Sequence, residues 1–524
     1  MTFHHSPPRR GRRLHASARI SLLAAAAALA GCAQLPAPGP SPEPRSAADY
    51  AARDTFAAPE TAWPTERWWT AYGDSQLNTL MDEALAHSPD LAVATARLRA
   101  ASAIAQVAGS SLKPQVTANG QVAEQRFSKN YLTPAAMVPQ GWNDVGQAAV
   151  QAGWDLDLWR RQRDALQAAT SAREAAAAEA AQARLMLASA VASQYAELAR
   201  MEAQRETARR SVEVRTHTAA LAAERHANGL ETRGNMRQAD SLRAAAEGQL
   251  LALDEQLVLQ RHRIAALLGQ GPDRGLAIAA PMLTFSRPYG LPPALAADLL
   301  GRRPDVAAAR LQAQAATSRI GQARAAFYPN VNLSALIGVQ SLGLDVLARG
   351  GSVIGGVGPA ISLPIFTGGR LRGELEGAEA SRDEAVAHYD ATVARALKEV
   401  ADAAVSLQWL QPRLQKADEA VAAADEAQHV AQNRYHGGLS PYLEVLAAQD
   451  SLLASLSAQT DLRAASLSLD IALQRALGGG YEDGAKGTSS ATPPQAPRPS
   501  AELSPALMSA LSTTTVPLAA TTER

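Results

Sequence analysis

Ser88-Pro89-Asp90-Leu91-Ala92 returns later in the chain as Arg303-Pro304-Asp305-Val306-Ala307. Pro114 lies 25 residues after Pro89, and Pro329 lies 25 after Pro304. Further on, Arg225 through Asn228-Gly229-Leu230 matches Arg434 through Gly437-Gly438-Leu439, and Leu268-Gly269 matches Leu477-Gly478. A period of about 210 residues is far longer than a solenoid unit. It marks a duplicated half-protein.

Both halves read in the same order. A helix (82–112; 298–327) ends at a proline, because the residue before proline is pushed out of the α region. Alternating residues follow, Val116, Ala118, Gly120 and Val122 in one half and Val331, Leu333, Ala335, Ile337 and Val339 in the other. Period two predicts strands with one apolar face. These strands cover 115–127 and 330–340, with second strands at 145–156 and 352–363. A very long helix comes next, 159–227 and 369–436, marked by Leu187, Val191, Tyr195 and Leu198 and by Val386, Tyr389, Val393, Leu397 and Val400. After a Gly-Leu turn a shorter helix returns (232–268; 441–477). The long helices have 69 and 68 residues, about 100 Å at 1.5 Å per residue. The two short helices of each half together come to 68 and 67 residues, so each pair stacked end to end matches one long rod.

Four strands cannot close a barrel, and open sheet edges do not occur in lipid. Strands of about 12 residues exceed the 9–11 that span a bilayer when tilted. Closure must come from other copies: two chains give eight strands, three give twelve and room for a passage. The sequence leaves both open.

The 524 residues contain 50 Lys+Arg, 50 Asp+Glu and a single Cys. One Cys excludes intramolecular disulfides and Cys-based zinc. Zero net charge leaves no basic field for nucleic acid. Residues 1–31 hold Arg9, Arg10, Arg12, Arg13 and Arg19 and no acid, then an apolar run to Ala30, the pattern of a secretory signal. Without them the chain has 45 basic and 50 acidic residues, a net of −5. Leu29-Ala30-Gly31-Cys32 resembles the lipobox of bacterial lipoproteins. That resemblance implies cleavage before Cys32, a diacylglycerol thioether on its sulfur and N-acylation. Residues 32–62, with Pro36, Pro38, Pro40, Pro42 and Pro44, read as lipid anchor and extended tether. Residues 484–524, rich in Ala, Ser, Thr and Pro, read as a disordered tail.

No Walker A pattern, HExxH, nucleophile elbow or dinucleotide fingerprint is present. Gly355-Gly356-Val357-Gly358 falls inside a predicted strand, where glycine serves bending or close packing. His217, His226 and His262 have no paired carboxylate motif. No enzyme activity, metal or cofactor is expected.

The chain resembles the outer-membrane factor family, the TolC-like channels, in its NodT-type lipoprotein branch. The resemblance spans roughly 63–481 and rests on Trp68-Trp69, Tyr72-Gly73-Asp74 and Leu77; Arg303-Pro304-Asp305-Val306; Ile320-Gly321, Ala323-Arg324 and Phe327-Tyr328-Pro329; Pro364-Ile365-Phe366 and Gly368-Gly369-Arg370; and Leu477-Gly478-Gly479-Gly480-Tyr481. It implies a mainly α fold with a membrane β-barrel part, repeated at 63–283 and 284–483. A homotrimer would form a 12-stranded barrel in outer-membrane lipid, continued by an α-barrel tunnel through the periplasm. It implies a passive efflux duct served by a periplasmic adaptor and an inner-membrane resistance-nodulation-division (RND) pump, with antibiotic resistance as a consequence. Alternatives are the outlet of a type I protein or peptide secretion system, or a structural periplasmic lipoprotein without a pore.

Site residues follow from these expectations. Trp154, Trp159, Phe327, Tyr328 and Phe366 gather where strands meet helices and read as an interfacial girdle. Gly229, Leu230, Gly438 and Leu439 form the opposite tips, which by resemblance dock the adaptor. Leu443, Glu444 and Asp450 lie where the last helix leaves its turn; one acid per chain becomes a cation-attracting ring in a trimer. Glu444 matches an acidic position of some relatives, whereas Ala447 stands where they often carry Asp. Tyr435 matches a Tyr that in relatives links the second half to the first and holds the aperture closed.

Overall fold

The computed structural model describes residues 41–46, 49–51, 54–130, 134–283, 290–293 and 295–483. The signal at 1–31, Cys32, the start of the tether and the 484–524 tail lie outside the described residues. The helices are α1 (Ser75–His87), α2 (Pro89–Ser110), α3 (Arg161–Ala227), α4 (Arg233–Leu267), α5 (Pro272–Leu276), α6 (Leu295–Arg302), α7 (Pro304–Ala325), α8 (Arg370–His436) and α9 (Tyr442–Ala476). The strands are β1 (Gln115–Arg126), β2 (Trp142–Asp155), β3 (Asn330–Leu342) and β4 (Val353–Ser362).

The first helix of each half is not single. Ser88 and Arg303 take extended backbone, and α2 and α7 start afresh at Pro89 and Pro304. Proline at the first helical position loses no hydrogen bond, but it ends the helix before it. The duplicated Pro-Asp pairs are therefore helix starts. Onto them the duplicated Leu-Gly pairs close. A Cβ on Gly269 (φ +71°) would lie 2.7 Å from the His87 carbonyl oxygen and 3.1 Å from Pro89 Cδ, and one on Gly478 (φ +89°) would strike the Arg302 carbonyl. Thus α4 abuts α2 and α9 abuts α7, each pair lying alongside a 67-residue helix.

A belt of aromatic residues wraps these junctions. The 3-10 turn Trp68–Tyr72 stops at Gly73 (φ +71°), and Asp74 then caps α1 by accepting from the Gln76 and Leu77 amides. Trp68, Trp69, Tyr72, Leu77, Leu80 and Met81 bury against Val191, Tyr195 and Leu198 of α3 and Ile264 of α4. Tyr195 donates to Asp74 at 2.7 Å and Tyr72 to Asp470 at 2.7 Å. In the second half Arg303, nearly all buried, donates to Asp305, Glu399 and the Ala476 carbonyl. Above and below the belt the rods touch through Ala and Ser, such as Ala168, Ser171, Ala175 and Ala178 of α3.

The strands form one antiparallel sheet in the order β1-β2-β3-β4, so β1 and β4 are free edges. One face carries Val116, Val122, Val150, Trp154, Leu333, Ile337, Val353, Val357 and Ile361, all exposed. The opposite face carries Gln115, Thr117, Asn119, Gln121, Gln151 and Ser334, and a row in which Gln121, Gln147 and Gln340 stand in register. An apolar face turned outward with a polar face opposite is the pattern of a barrel in lipid. The flanks of the helical body are equally open: no residue of α2 is buried, whereas its repeat counterpart α7, packed between α3 and α8, buries Val306, Ala307, Leu311 and Ile320.

Two measurements follow. Replacing Ile337 by Arg on the outward face should cost about 2–4 kcal/mol of barrel stability in lipid vesicles, read by guanidinium titration; Gln147→Arg, facing the other way, should cost far less. Gly229→Ala (φ +73°, open space around it) should cost about 1–2 kcal/mol. Gly269→Ala should lower the thermal midpoint by clearly more, because it also drives a methyl into the His87 carbonyl.

Candidate functional site

At the end of the body remote from the sheet, both hairpins turn in the same way. The Leu230 amide donates to the Arg225 carbonyl at 2.8 Å and the Gly229 amide to His226; Leu439 bonds Arg434 at 2.8 Å and Gly438 bonds Tyr435. This six-to-one closure needs a left-handed residue, which Gly229 and Gly438 supply. Leu230 and Leu439 are left exposed at the tips. Thr232 then caps α4 through the Asn235 amide, while α9 starts after Pro441.

Directly above the tips the two halves clasp each other. Tyr435 of α8 is buried beside Tyr442, Val445 and Leu446 of α9 and Ala219 and Ala222 of α3. Its hydroxyl donates to Glu231 Oε2 at 2.9 Å, in the turn of the first hairpin. Glu231 also accepts from the Thr232 amide and from Asn235 Nδ2 at 2.8 Å. The Arg225 guanidinium lies 4.6 Å over the Tyr435 ring and donates to its carbonyl. Partial burial disfavours the Glu231 carboxylate, but these donors and Arg225 outweigh it and hold its pKa below the usual carboxylate range. Burial first, and the bond to Glu231 second, push Tyr435 up to about 12.

Three turns up α3, buried Arg215 donates to Gln449 at 3.2 Å and pairs with Asp450; Gln449 Nε2 donates to Thr218 at 2.8 Å. Asp450, expected as an acid of the ring, pairs here with Arg215 while its own side chain stays largely exposed. Glu444 is exposed with no ion-pair partner among the described residues, and Leu443 is exposed beside it. Sequence reasoning found Tyr435 but missed Arg215, Thr218, Arg225, Glu231 and Gln449. The match of Arg225 to Arg434 was the one signal available for them.

At the other end, the expected girdle divides. Trp159 stacks on Tyr328 (4.7 Å, 18°) and donates to the Pro329 carbonyl at 2.8 Å. Trp154 donates to Leu112 at 3.1 Å. Phe327 is half-buried; Phe366 and Ile365 project freely. Trp142 was missed, because it falls in β2 where a loop was expected. It shares its face with Trp154, twelve residues along the strand. Twelve residues rise about 40 Å, or roughly 30 Å along the normal at barrel tilt, which is the thickness of the hydrocarbon layer. Among the described residues no group of three or more His, Cys, Asp or Glu could hold a metal ion, and no helix is long and apolar enough to cross a membrane.

The profile of the outer membrane efflux protein family matches residues 80–270 and 295–479. The chain is 37% identical over 370 residues to the fusaric acid resistance protein FusA of Burkholderia cepacia, covering 69% of each. It is 31% identical to the multidrug resistance outer membrane protein MdtP of Escherichia coli K12, over 82% of this chain and 90% of that one. Among solved structures it resembles the outer membrane protein VceC of Vibrio cholerae, with 46% identity and a TM-score of 0.77 over 80% of this chain and all of that one. The lipid-patterned sheet, the paired rods and these matches agree, and the chain belongs to the outer membrane efflux protein family.

Proposed function

We propose that the clasp between the two hairpins is the closed gate of an efflux duct. The chain is the outer-membrane channel of a tripartite efflux system, a trimeric exit duct fed by an inner-membrane pump through a periplasmic adaptor. The observation that carries the gate reading is the Tyr435–Glu231 bond, which joins the second hairpin to the first at the tip. Arg215 with Gln449 and Asp450 forms a second latch above it. The Tyr435–Glu231 and Arg215–Asp450 bonds are half-buried and each has a charged partner, where a net worth of about 1.5–3 kcal/mol is ordinary. An adaptor that bound the parted tips better could therefore release them. Leu230 and Leu439, exposed beside Gly229 and Gly438, are the apolar contacts we assign to that adaptor. Glu444, without an ion-pair partner among the described residues, is the acid we assign to the cation-attracting ring, with Leu443 beside it.

The chain needs no catalytic group or cofactor for this role. Its one covalent addition in our reading is lipid on Cys32, and the described tether supports it. Ser41 donates to Asp383 at 2.9 Å, Arg382 to the Pro42 carbonyl at 2.8 Å, and the Arg45 amide to Asp390 at 3.0 Å. The tether thus runs along α8 toward the sheet. Asp383 lies thirteen residues, about 20 Å, from the start of α8. The nine residues from Ser41 back to Cys32 reach about 30 Å, enough to set the lipid in the membrane. Trp154, Trp159, Tyr328, Phe327 and Phe366 would then mark the periplasmic interface and Trp142 the outer one. The names of relatives, fusaric acid resistance and multidrug resistance, support small-molecule cargo over secreted protein.

Planar-bilayer conductance tests the gate. Tyr435→Phe and Arg215→Ala should each raise it, and the pair should open the duct several-fold; unchanged conductance in the double variant would remove the assignment. The pH dependence has a definite sign. Glu231 has a depressed pKa when clasped, so the stability it lends is present above its ordinary pKa of about 4.3 and is lost only as pH falls through the lower value. Conductance should therefore stay low from pH 7 to 5 and rise only in stronger acid. Glu231→Gln should abolish that step.

A further inference from the structure

The two hairpins are the same object twice. Helices α3 and α8 have 67 residues each, and α4 and α9 have 35 each. Both are displaced by 209 positions, from Arg161 to Arg370 and from Arg233 to Tyr442. Within the chain α9 packs on α3. There Arg200 donates to Asp461 Oδ1 at 3.2 Å and Gln204 to the same oxygen at 2.8 Å. Ala196 and Leu467, in the same contact, are only 3% and 7% exposed.

The 209-residue displacement carries Arg200 to Trp409, Ala196 to Val405, Asp461 to Ala252 and Leu467 to Val258. The first two lie on α8 and the last two on α4, on opposite flanks of the chain. Here the counterparts are uncovered: Trp409 is 63% exposed, Val405 43% and Val258 38%. Leu251, next to Ala252, is 69% exposed, and a Cβ on Gly248 would meet nothing within 4 Å. Gly248, Leu251, Ala252 and Glu255 are spaced as the four walls of a hole that accepts one knob from an adjacent helix.

We infer that the seam between subunits repeats the internal α3–α9 contact, with Trp409 of one copy seated among Gly248, Leu251, Ala252 and Glu255 of the next. The occupant is a second copy of this chain, since the internal contact supplies the geometry. The two flanks also continue the free edges of β4 and β1, which need the same neighbour. The substitutions match across the seam: where the internal contact has Arg facing Asp, the seam has an apolar knob facing Ala252, with Gly248 leaving room beside it. The inference rests on the trimeric duct and adds the residues that hold it together.

Two experiments on the full-length protein test it. In the variant carrying both Trp409→Cys and Ala252→Cys, a short bismaleimide reaching about 10 Å, the separation of packed helices, should yield covalent dimers and trimers. Either single variant should yield none. Trimers by native mass that do not cross-link would overturn the seam, whereas monomers would overturn the duct itself. Second, Trp409→Arg and Ala252→Asp should each raise the dissociated fraction in detergent about tenfold. The double variant should return to within about twofold of the parent, because it rebuilds the Arg200–Asp461 pair across the seam. Losses that simply add would overturn the inference even if cross-links formed.

Discussion

Backbone amides and carbonyls on an exposed sheet edge can be satisfied by water in solution, but hydrocarbon offers them nothing. This chain presents two such edges, β1 and β4, on a sheet whose outward face is made for lipid. Either the sheet stays out of the membrane or each β1 finds another β4. Three copies give twelve strands and remove every edge. The same closure brings the bare flank of α2 and α4 against α8, so one requirement in the membrane dictates the assembly of the whole body.

Inside the chain the duplication does the equivalent work. The Pro-Asp helix starts and the Leu-Gly helix ends meet at the belt, where Gly269 and Gly478 bring one backbone onto another closely enough to exclude any side chain. The belt then fixes the rods with buried polar ties, Tyr195 to Asp74, Tyr72 to Asp470 and Arg303 to Glu399. Large side chains concentrate there. Apart from the cluster of Tyr435, Tyr442, Val445 and Leu446 near the tips, the rods touch elsewhere mainly through small residues, and so they can run long and close together.

What could be read in the sequence follows from this division. Strand alternation was legible because one face is apolar along its whole length, and so were the helix ends before Pro114 and Pro329. The breaks at Pro89 and Pro304 were not, because a proline in the first helical turn costs no hydrogen bond and the sequence on both sides of it is helical. The long helices could be oriented at the belt, where the stripes Leu187–Leu198 and Val386–Val400 are buried, but not toward the tips. A helix packed on several sides through Ala and Ser shows no single apolar stripe, so nothing marked Arg215 as turned inward. Asp450 read as a free acid for the same reason: its partner lies 235 positions away on another rod. Trp142 was lost to a boundary error of three residues, with β2 starting at Trp142 rather than 145. Glu231 lies in a turn, and only the fold brings Tyr435 to it.

The two kinds of seam now differ in a way that bears on opening. Carried by 209 positions, the clasp residues Tyr435 and Glu231 become His226 and Ser440, while Arg215 and Asp450 become Ala424 and Ser241. The residue pairs of the clasp therefore do not recur at the shifted positions. At the seam we infer between chains the corresponding positions hold His226, Ser440, Ala424 and Ser241, with Trp409 higher up. The hydrogen bonds of the clasp can be remade with water once the tips part, whereas pulling an indole from its hole exposes area worth about 25 cal/mol per Å² and offers nothing in exchange. In the gate we propose, the duct opens by parting the two hairpins of each subunit at their tips, while the inferred seam keeps the subunits joined above.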